Sequence, residues 1–187
     1  MGKVYEQIDT ALEDFIREQR MFFVATAPLS ASAHINVSPK GLDTLRVLGP
    51  HTLVYLDYVG SGAETIAHVR ENGRIVVMLC AFQGAPRIVR FHGRADVLEP
   101  PDQEFNRLRA LFPPEPAGRA IIRISINRIA DSCGYGVPQY AFEGYRCQLP
   151  DWAARKGPHG LLEYQQDKNR SSIDGLPALR GPQMTEP

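Results

Sequence analysis

The chain has 187 residues, with 21 Lys plus Arg against 21 Asp plus Glu and a formal net charge of zero at pH 7. A chain of this length buries a core without disulfide staples, and its balanced charge leaves no global positive field to hold nucleic acid or an anionic membrane. The expected partner is therefore a small molecule or another protein, and three scattered cysteines, Cys80, Cys133 and Cys147, without the paired spacing of a zinc site or a disulfide framework, fit a reducing cytoplasm.

The opening residues Met1 to Glu6 lack the apolar core of a signal peptide, and no apolar run approaches the ~20 residues that span a bilayer. A soluble, cytoplasmic protein is expected. Val4, Ile8, Leu12, Phe15 and Ile16 recur at steps of three and four, which predicts an amphipathic opening helix lying across a sheet. Short β-rich runs follow at Phe22 to Ala27, His34 to Val37, Thr44 to Leu48 and Thr52 to Asp57, separated by Pro28, Pro39-Lys40-Gly41 and Gly49-Pro50.

A helix is predicted from Ser61-Gly62-Ala63-Glu64 through Arg70, closed by Asn72-Gly73. Two long strands, Arg74 to Phe82 and Arg87 to Glu99, flank the hairpin loop Gln83 to Pro86. A short helix holds Phe105, Leu108, Leu111 and Phe112, and Ile121 to Ile126 supplies another strand. Helix candidates at Asp151 to Lys156 and Leu161 to Asp167 precede eighteen Pro-, Gly- and Ser-rich residues that read as an extended tail. Many short strands at hairpin spacing, with one well-placed helix among them, favour a barrel or sandwich over a parallel α/β sheet.

Two segments can carry chemistry. Asp57-Tyr58-Val59-Gly60-Ser61-Gly62-Ala63-Glu64-Thr65 places glycines and hydroxyls where a strand becomes a helix, and free backbone N–H groups with the helix dipole there favour a phosphate. The same residues also read as a capping box, with Ser61 as N-cap and Glu64 reaching back, and the two readings are compatible. Asn36-Val37-Ser38-Pro39-Lys40-Gly41 offers donors at a strand end, or simply a turn with a solvated lysine. The five histidines are dispersed without an HExxH or Cys/His cluster, so no metal site is expected. No catalytic side chain is assigned.

The order of these pieces resembles the pyridoxamine 5'-phosphate oxidase-like, FMN-binding split-barrel superfamily over roughly residues 5 to 130. The resemblance is carried by Ala33 to Gly41, by Tyr58-Val59-Gly60-Ser61 entering a helix, by Asn72-Gly73-Arg74-Ile75, and by Arg87 to Ala95 with its Gly93-Arg94-Ala95 ending. Asp131 to Pro138 and Ser172 to Pro177 resemble a subgroup known only as oxidase-like.

The resemblance implies a mainly β, α+β fold: a six-stranded antiparallel split β-barrel of Greek-key topology with a few flanking helices. It divides the chain into an FMN-binding domain over residues 1–150 and a helical segment with extended tail over 151–187. It implies a homodimer with FMN at the interface, where Asn36, Val37, Ser38 and Lys40 run beside the flavin ring. Asp57, Tyr58, Gly60, Ser61, Gly62, Glu64 and Thr65 would reach the ribityl chain and phosphate. The family's oxidase carries an Arg-Lys pair after the serine matching Ser61, whereas this chain has Gly62-Ala63. Lys40 or Arg87 would then supply the missing charge. The implied activity is an FMN-dependent oxidoreductase; split barrels also host deazaflavin or haem, and a non-catalytic flavin carrier or sensor is the further alternative.

Overall fold

A computed structural model describes residues 2–181 of the chain. Its elements follow in the order β1 (Val4–Tyr5), α1 (Thr10–Glu18), β2 (Phe22–Thr26), β3 (Asn36–Lys40), β4 (Leu45–Gly49), β5 (Thr52–Tyr58), α2 (Glu64–Asn72), β6 (Arg74–Cys80), β7 (Ile88–Leu98), α3 (Phe105–Arg109), β8 (Gly118–Ser132) and α4 (Gln148–Lys168). All strand pairs are antiparallel, in one sheet of order β3-β2-β6-β7-β8-β5-β4, with β1 also on β8.

The sheet therefore has eight strands rather than the six expected. One of the two extra strands, β1, follows from the length of β8, fifteen residues, which no single neighbour spans. β5 pairs with it from Gly118 to Ser125, and Val4 and Tyr5 occupy the edge left free at Ile129 and Ala130. That pairing also takes Val4 out of the predicted opening helix. The helix starts only at Thr10, where the Asp9 side chain accepts the Leu12 N–H at 2.8 Å and caps it.

β3 and β4 are the two ends of the sheet path, so hydrogen bonds do not close it. It nevertheless curls far enough for distant strands to meet through their side chains, as accumulated strand twist allows. Phe22 of β2 meets Tyr55 of β5 edge-on with ring centroids 5.5 Å apart. Inside the curl, Val24, Val77, Phe91, Ile122 and Ile124 pack with Leu12 and Ile16 of α1 and Ile66 and Ala67 of α2. α2 ends at Gly73, whose φ of 71° is the left-handed conformation that glycine adopts without strain. At the bulge between His92 and Gly93, a Cβ on Gly93 would collide with the Ser125 carbonyl, which explains the glycine in that strand.

β3 begins at Asn36 and continues through Pro39, beyond the predicted end at Val37. As an edge strand it tolerates a proline without losing a central ladder bond. The two C-terminal helix candidates lie on either side of a break in α4 at Gly157 (φ 65°, ψ 173°), just before Pro158. The chain then turns back over the sheet instead of trailing away. Asn169 is fully buried, Ser171 bridges to Pro177, and Ala178 and Leu179 enter the main core. The Arg180 N–H reaches Glu99 Oε2 at 3.1 Å. The rest of the predicted tail, residues 182–187, lies outside the described residues. Among the described residues no helix is long and apolar enough to cross a membrane.

Candidate functional site

The curl brings β3 and the start of β8 to the two sides of Asp57 on β5. Lys40 Nζ donates to Asp57 Oδ1 at 2.7 Å, and Arg119 Nε donates to Asp57 Oδ2 at 2.8 Å. Asp57 is fully buried, Arg119 is 5% exposed, and the Lys40 side chain keeps 20% of its surface. Burial alone would push the Asp57 carboxyl up, but the charges and hydrogen bonds of Lys40 and Arg119 outweigh it and hold the group at about 2. Two cations against one carboxylate leave the cluster with a net positive charge. Arg119 Nη1 is buried with no hydrogen-bond partner among the described residues.

Arg119 escaped the sequence reading because it precedes the obvious apolar run of β8. Its orientation comes from a β-bulge: Asp57 pairs with Ala120 but Tyr58 pairs with Gly118, so Arg119 has no partner residue on β5. The available signal was Asp57 itself, a carboxylate inside the otherwise apolar strand Leu53–Tyr58, which demands a buried cation.

A second network joins β3 to α2. Asn36 Nδ2 donates to Thr65 Oγ1 at 2.9 Å and to Thr26 Oγ1 at 3.1 Å, while Asn36 Oδ1 accepts from Ser38 Oγ at 2.9 Å. Thr26 Oγ1 also meets His68 Nδ1 at 3.0 Å, so the buried His68 on α2 extends the chain of contacts. Thr65 is itself buried, so its hydroxyl fixes α2 to the edge strand. Val37, between Asn36 and Ser38, points outward and is 63% exposed.

The junction before α2 differs from the capping box. Ala63 holds the N-cap position with no side-chain cap bond, and Ser61 stands two residues upstream with its side chain exposed. Glu64 is the first helical residue; its carboxylate turns over Gly62 and accepts the Ile173 N–H at 3.3 Å. The Gly60 carbonyl accepts Asn169 Nδ2 at 2.8 Å, and the space where a Gly60 side chain would lie is open. The backbone N–H groups at the start of α2 thus have no side-chain cap, next to the open space at Gly60. Free N–H groups of this kind suit a phosphate, which the Glu64 carboxylate over Gly62 would oppose.

Two expected site residues are not brought into this group. Tyr58 follows Asp57 on the strand and faces the opposite side, packing with the α3 cluster of Phe105 and Leu108. Its hydroxyl is buried without a partner among the described residues, and burial raises its pKa. Arg87 lies beside Ile88, which pairs with Ser132, while Asp57 pairs with Ala120 near the other end of β8. There it donates to Tyr5 at 2.6 Å, reaches Asp131 at 3.5 Å and stacks over Phe15. Its charge is spent on tying β1 and α1 to the sheet.

Residues 8–133 match the family model described as pyridoxamine 5'-phosphate oxidase. The chain belongs to this family. A family relative, the pyridoxamine 5'-phosphate oxidase family protein ustO of Aspergillus flavus, is 37% identical over 194 residues, spanning 94% of this chain and 77% of that protein. Among solved structures, HupZ of Group A Streptococcus superposes with a TM-score of 0.51 at 21% identity, covering 65% of this chain and 91% of that one. A candidate pyridoxamine 5'-phosphate oxidase of Lactobacillus delbrueckii superposes with a TM-score of 0.52 at 17% identity, covering 68% and 98%. At these identities the two structures show a shared fold alone. The family match spans the Asn36–Lys40 strand, the α2 start and Arg119, so all of the described site except the tail contacts lies within it.

Proposed function

We propose that this protein is an FMN-dependent oxidoreductase whose curled sheet serves as a split barrel and which works as a homodimer. The observation that carries the reading is the uncapped start of α2 beside the edge strand Asn36–Lys40, in a chain of this family. FMN, when bound, supplies the centre that accepts or delivers hydride or electrons. The backbone N–H groups at the start of α2 and the Ser61 hydroxyl would hold its phosphate. The Asn36–Thr65 bond locks the strand against the helix, so the segment lining the ring and the segment holding the phosphate keep a fixed spacing. The net positive Lys40–Asp57–Arg119 cluster supplies a field that favours an anionic cofactor and electron-rich reduced states. Residues 1–150 carry this site, and the segment from residue 151 braces it through Asn169 and Ile173.

The dimer reading rests on the outer face of the sheet. Phe23 and Ala25 on β2 alternate with buried Phe22, Val24 and Thr26, and they pair with Met78 and Val76 on one side and Pro39 and Val37 on the other. This forms a continuous apolar face opposite the side that α2 covers. An obligate interface of this kind buries about 2,000 Å² or more in total. The test is cofactor identification in the purified protein by visible absorbance and mass, followed by turnover of reduced nicotinamide with quinone acceptors. Co-purified FMN and turnover support the reading; a protein that neither carries nor takes up flavin overturns it.

A further inference from the structure

His68 lies on α2 with no exposed surface, the only histidine among the described residues so placed. Its Nδ1 meets Thr26 Oγ1 at 3.0 Å, while its Nε2 is buried with no hydrogen-bond partner among the described residues. A half-satisfied imidazole in a dry core is costly. The compensation lies in where the Thr26 proton goes.

Each hydroxyl of the network holds one proton, so its bonds fix one another's direction. The Asn36 amide nitrogen spends its two protons on Thr26 Oγ1 at 3.1 Å and Thr65 Oγ1 at 2.9 Å. Thr26 is therefore an acceptor toward Asn36, and the acceptor left for its own proton is His68 Nδ1. That bond leaves Nδ1 unprotonated and puts the ring proton on Nε2. At the other end the Asn36 amide oxygen accepts from Ser38 Oγ at 2.9 Å. The Ser38 proton is then spent, and lone pairs are what this half-buried hydroxyl on β3 still offers. The Thr65 proton stays free to turn toward the buried Tyr55 hydroxyl, which has no partner among the described residues.

The opposite direction would also close on itself. A proton on Nδ1 would donate to Thr26, both threonines would donate to a turned Asn36 amide, and Ser38 would receive a proton and present its own outward. The histidine tautomer thus decides whether Ser38 accepts or donates.

We infer that His68 is a positioning residue: held with its proton on Nε2, it sets the direction of the Thr26–Asn36–Ser38 chain and makes Ser38 an acceptor for a ring N–H of the ligand beside β3. The inference rests on the proposed flavin site for the identity of that ligand, and not for the tautomer. The oxidised flavin ring carries a single N–H, at its N3 position, so that is the group such an acceptor selects.

The first test is the ring-nitrogen NMR spectrum of the ligand-free full-length protein, with the His68 signals assigned by their absence in His68→Gln. Nδ1 falls in the unprotonated range and Nε2 in the protonated range; a protonated Nδ1 overturns the inference. The second compares binding of FMN with that of 3-methyl-FMN, which lacks the N–H, by fluorescence quenching. The wild type prefers FMN at least about threefold, the size of one neutral hydrogen bond, and Ser38→Ala removes the preference. His68→Gln, whose amide oxygen still accepts from Thr26, keeps it, whereas folded His68→Leu loses it. A preference that survives Ser38→Ala, or that His68→Leu leaves unchanged, overturns the inference. If His68→Leu does not fold, the spectrum and Ser38→Ala decide. A protein with the Nε2–H tautomer that takes up neither flavin removes the flavin reading and leaves the direction of the chain standing.

Discussion

Arg119 holds Asp57 from a bulge: its Nε lies 2.8 Å from Asp57 Oδ2, and it is the one residue at that step of β8 with no partner on β5. The extra residue turns a cation inward where a regular ladder would have paired Arg119 with Tyr58. With Lys40 arriving from the edge strand, the carboxylate bridges the two sides of the curl. The pair contacts therefore fix the shape of the sheet as well as the charge of the site.

Asp57→Asn should be strongly destabilising, because it leaves Lys40 and Arg119 facing each other in a buried place. Losing one partner of a buried ion cluster costs on the order of 3–5 kcal/mol, which for a chain of this size lowers the melting temperature by roughly 10 °C. Thermal unfolding by circular dichroism checks this. A shift within a degree or two of the wild type would show that the cluster contributes little.

The same cluster sets an acid limit. Asp57 titrates at about 2 in the folded chain, below the ~3.9 of an unfolded aspartate. Between those values the unfolded chain takes up a proton that the folded chain does not, so this stability is complete above pH ~4 and is lost as pH falls toward 2. Arg119→Gln removes one of the charges that depress the group, so its acid unfolding midpoint should lie at higher pH than that of the wild type. An unchanged midpoint would contradict the assignment.

The helix positions, the strand-rich order and the Gly73 stop were legible because periodicity and turn chemistry are local. The fate of Val4 and Tyr5 was not, since their pairing depends on how far β8 outreaches β5. Ser61-Gly62-Ala63-Glu64 has the spelling of a capping box, yet the helix starts later because Glu64 is turned toward Gly62 and the tail. Lys40 was singled out from sequence, but its partner Asp57 and the second cation Arg119 come from strands that meet only after the sheet curls. Arg87 was drawn into the site by its charge alone, and the structure spends that charge at the far end of β8.

The outer apolar face gives a direct test of assembly. Met78→Glu puts a carboxylate beside Phe23, on the face proposed to meet a second copy. The variant should elute and scatter as a monomer and bind FMN more weakly, while its far-UV spectrum stays that of the wild type. A dimer of unchanged strength would place the interface elsewhere.

The thiols should be dispensable for flavin binding. Cys80 is buried on β6, where burial raises its pKa above the ordinary thiol value, and Cys133 and Cys147 are exposed. Replacing each singly with alanine should leave FMN affinity within about twofold, since none touches the α2 junction. Loss of turnover in a folded variant would expose a redox-active thiol.

The central claim is that the start of α2 holds the FMN phosphate, and the ratio of FMN to riboflavin affinity measures it most directly. Thr65→Ala and Lys40→Ala are compromised probes, because Thr65 anchors Asn36 and Lys40 neutralises Asp57. Ser61 is exposed and caps nothing, so Ser61→Ala alters the phosphate contact without touching the fold. By fluorescence quenching at moderate salt, the wild type should bind FMN at least about tenfold more tightly than riboflavin, as charge-assisted hydrogen bonds to a phosphate require. Ser61→Ala should narrow that gap at an unchanged melting temperature, whereas equal affinity of the wild-type protein for FMN and riboflavin would contradict the phosphate site.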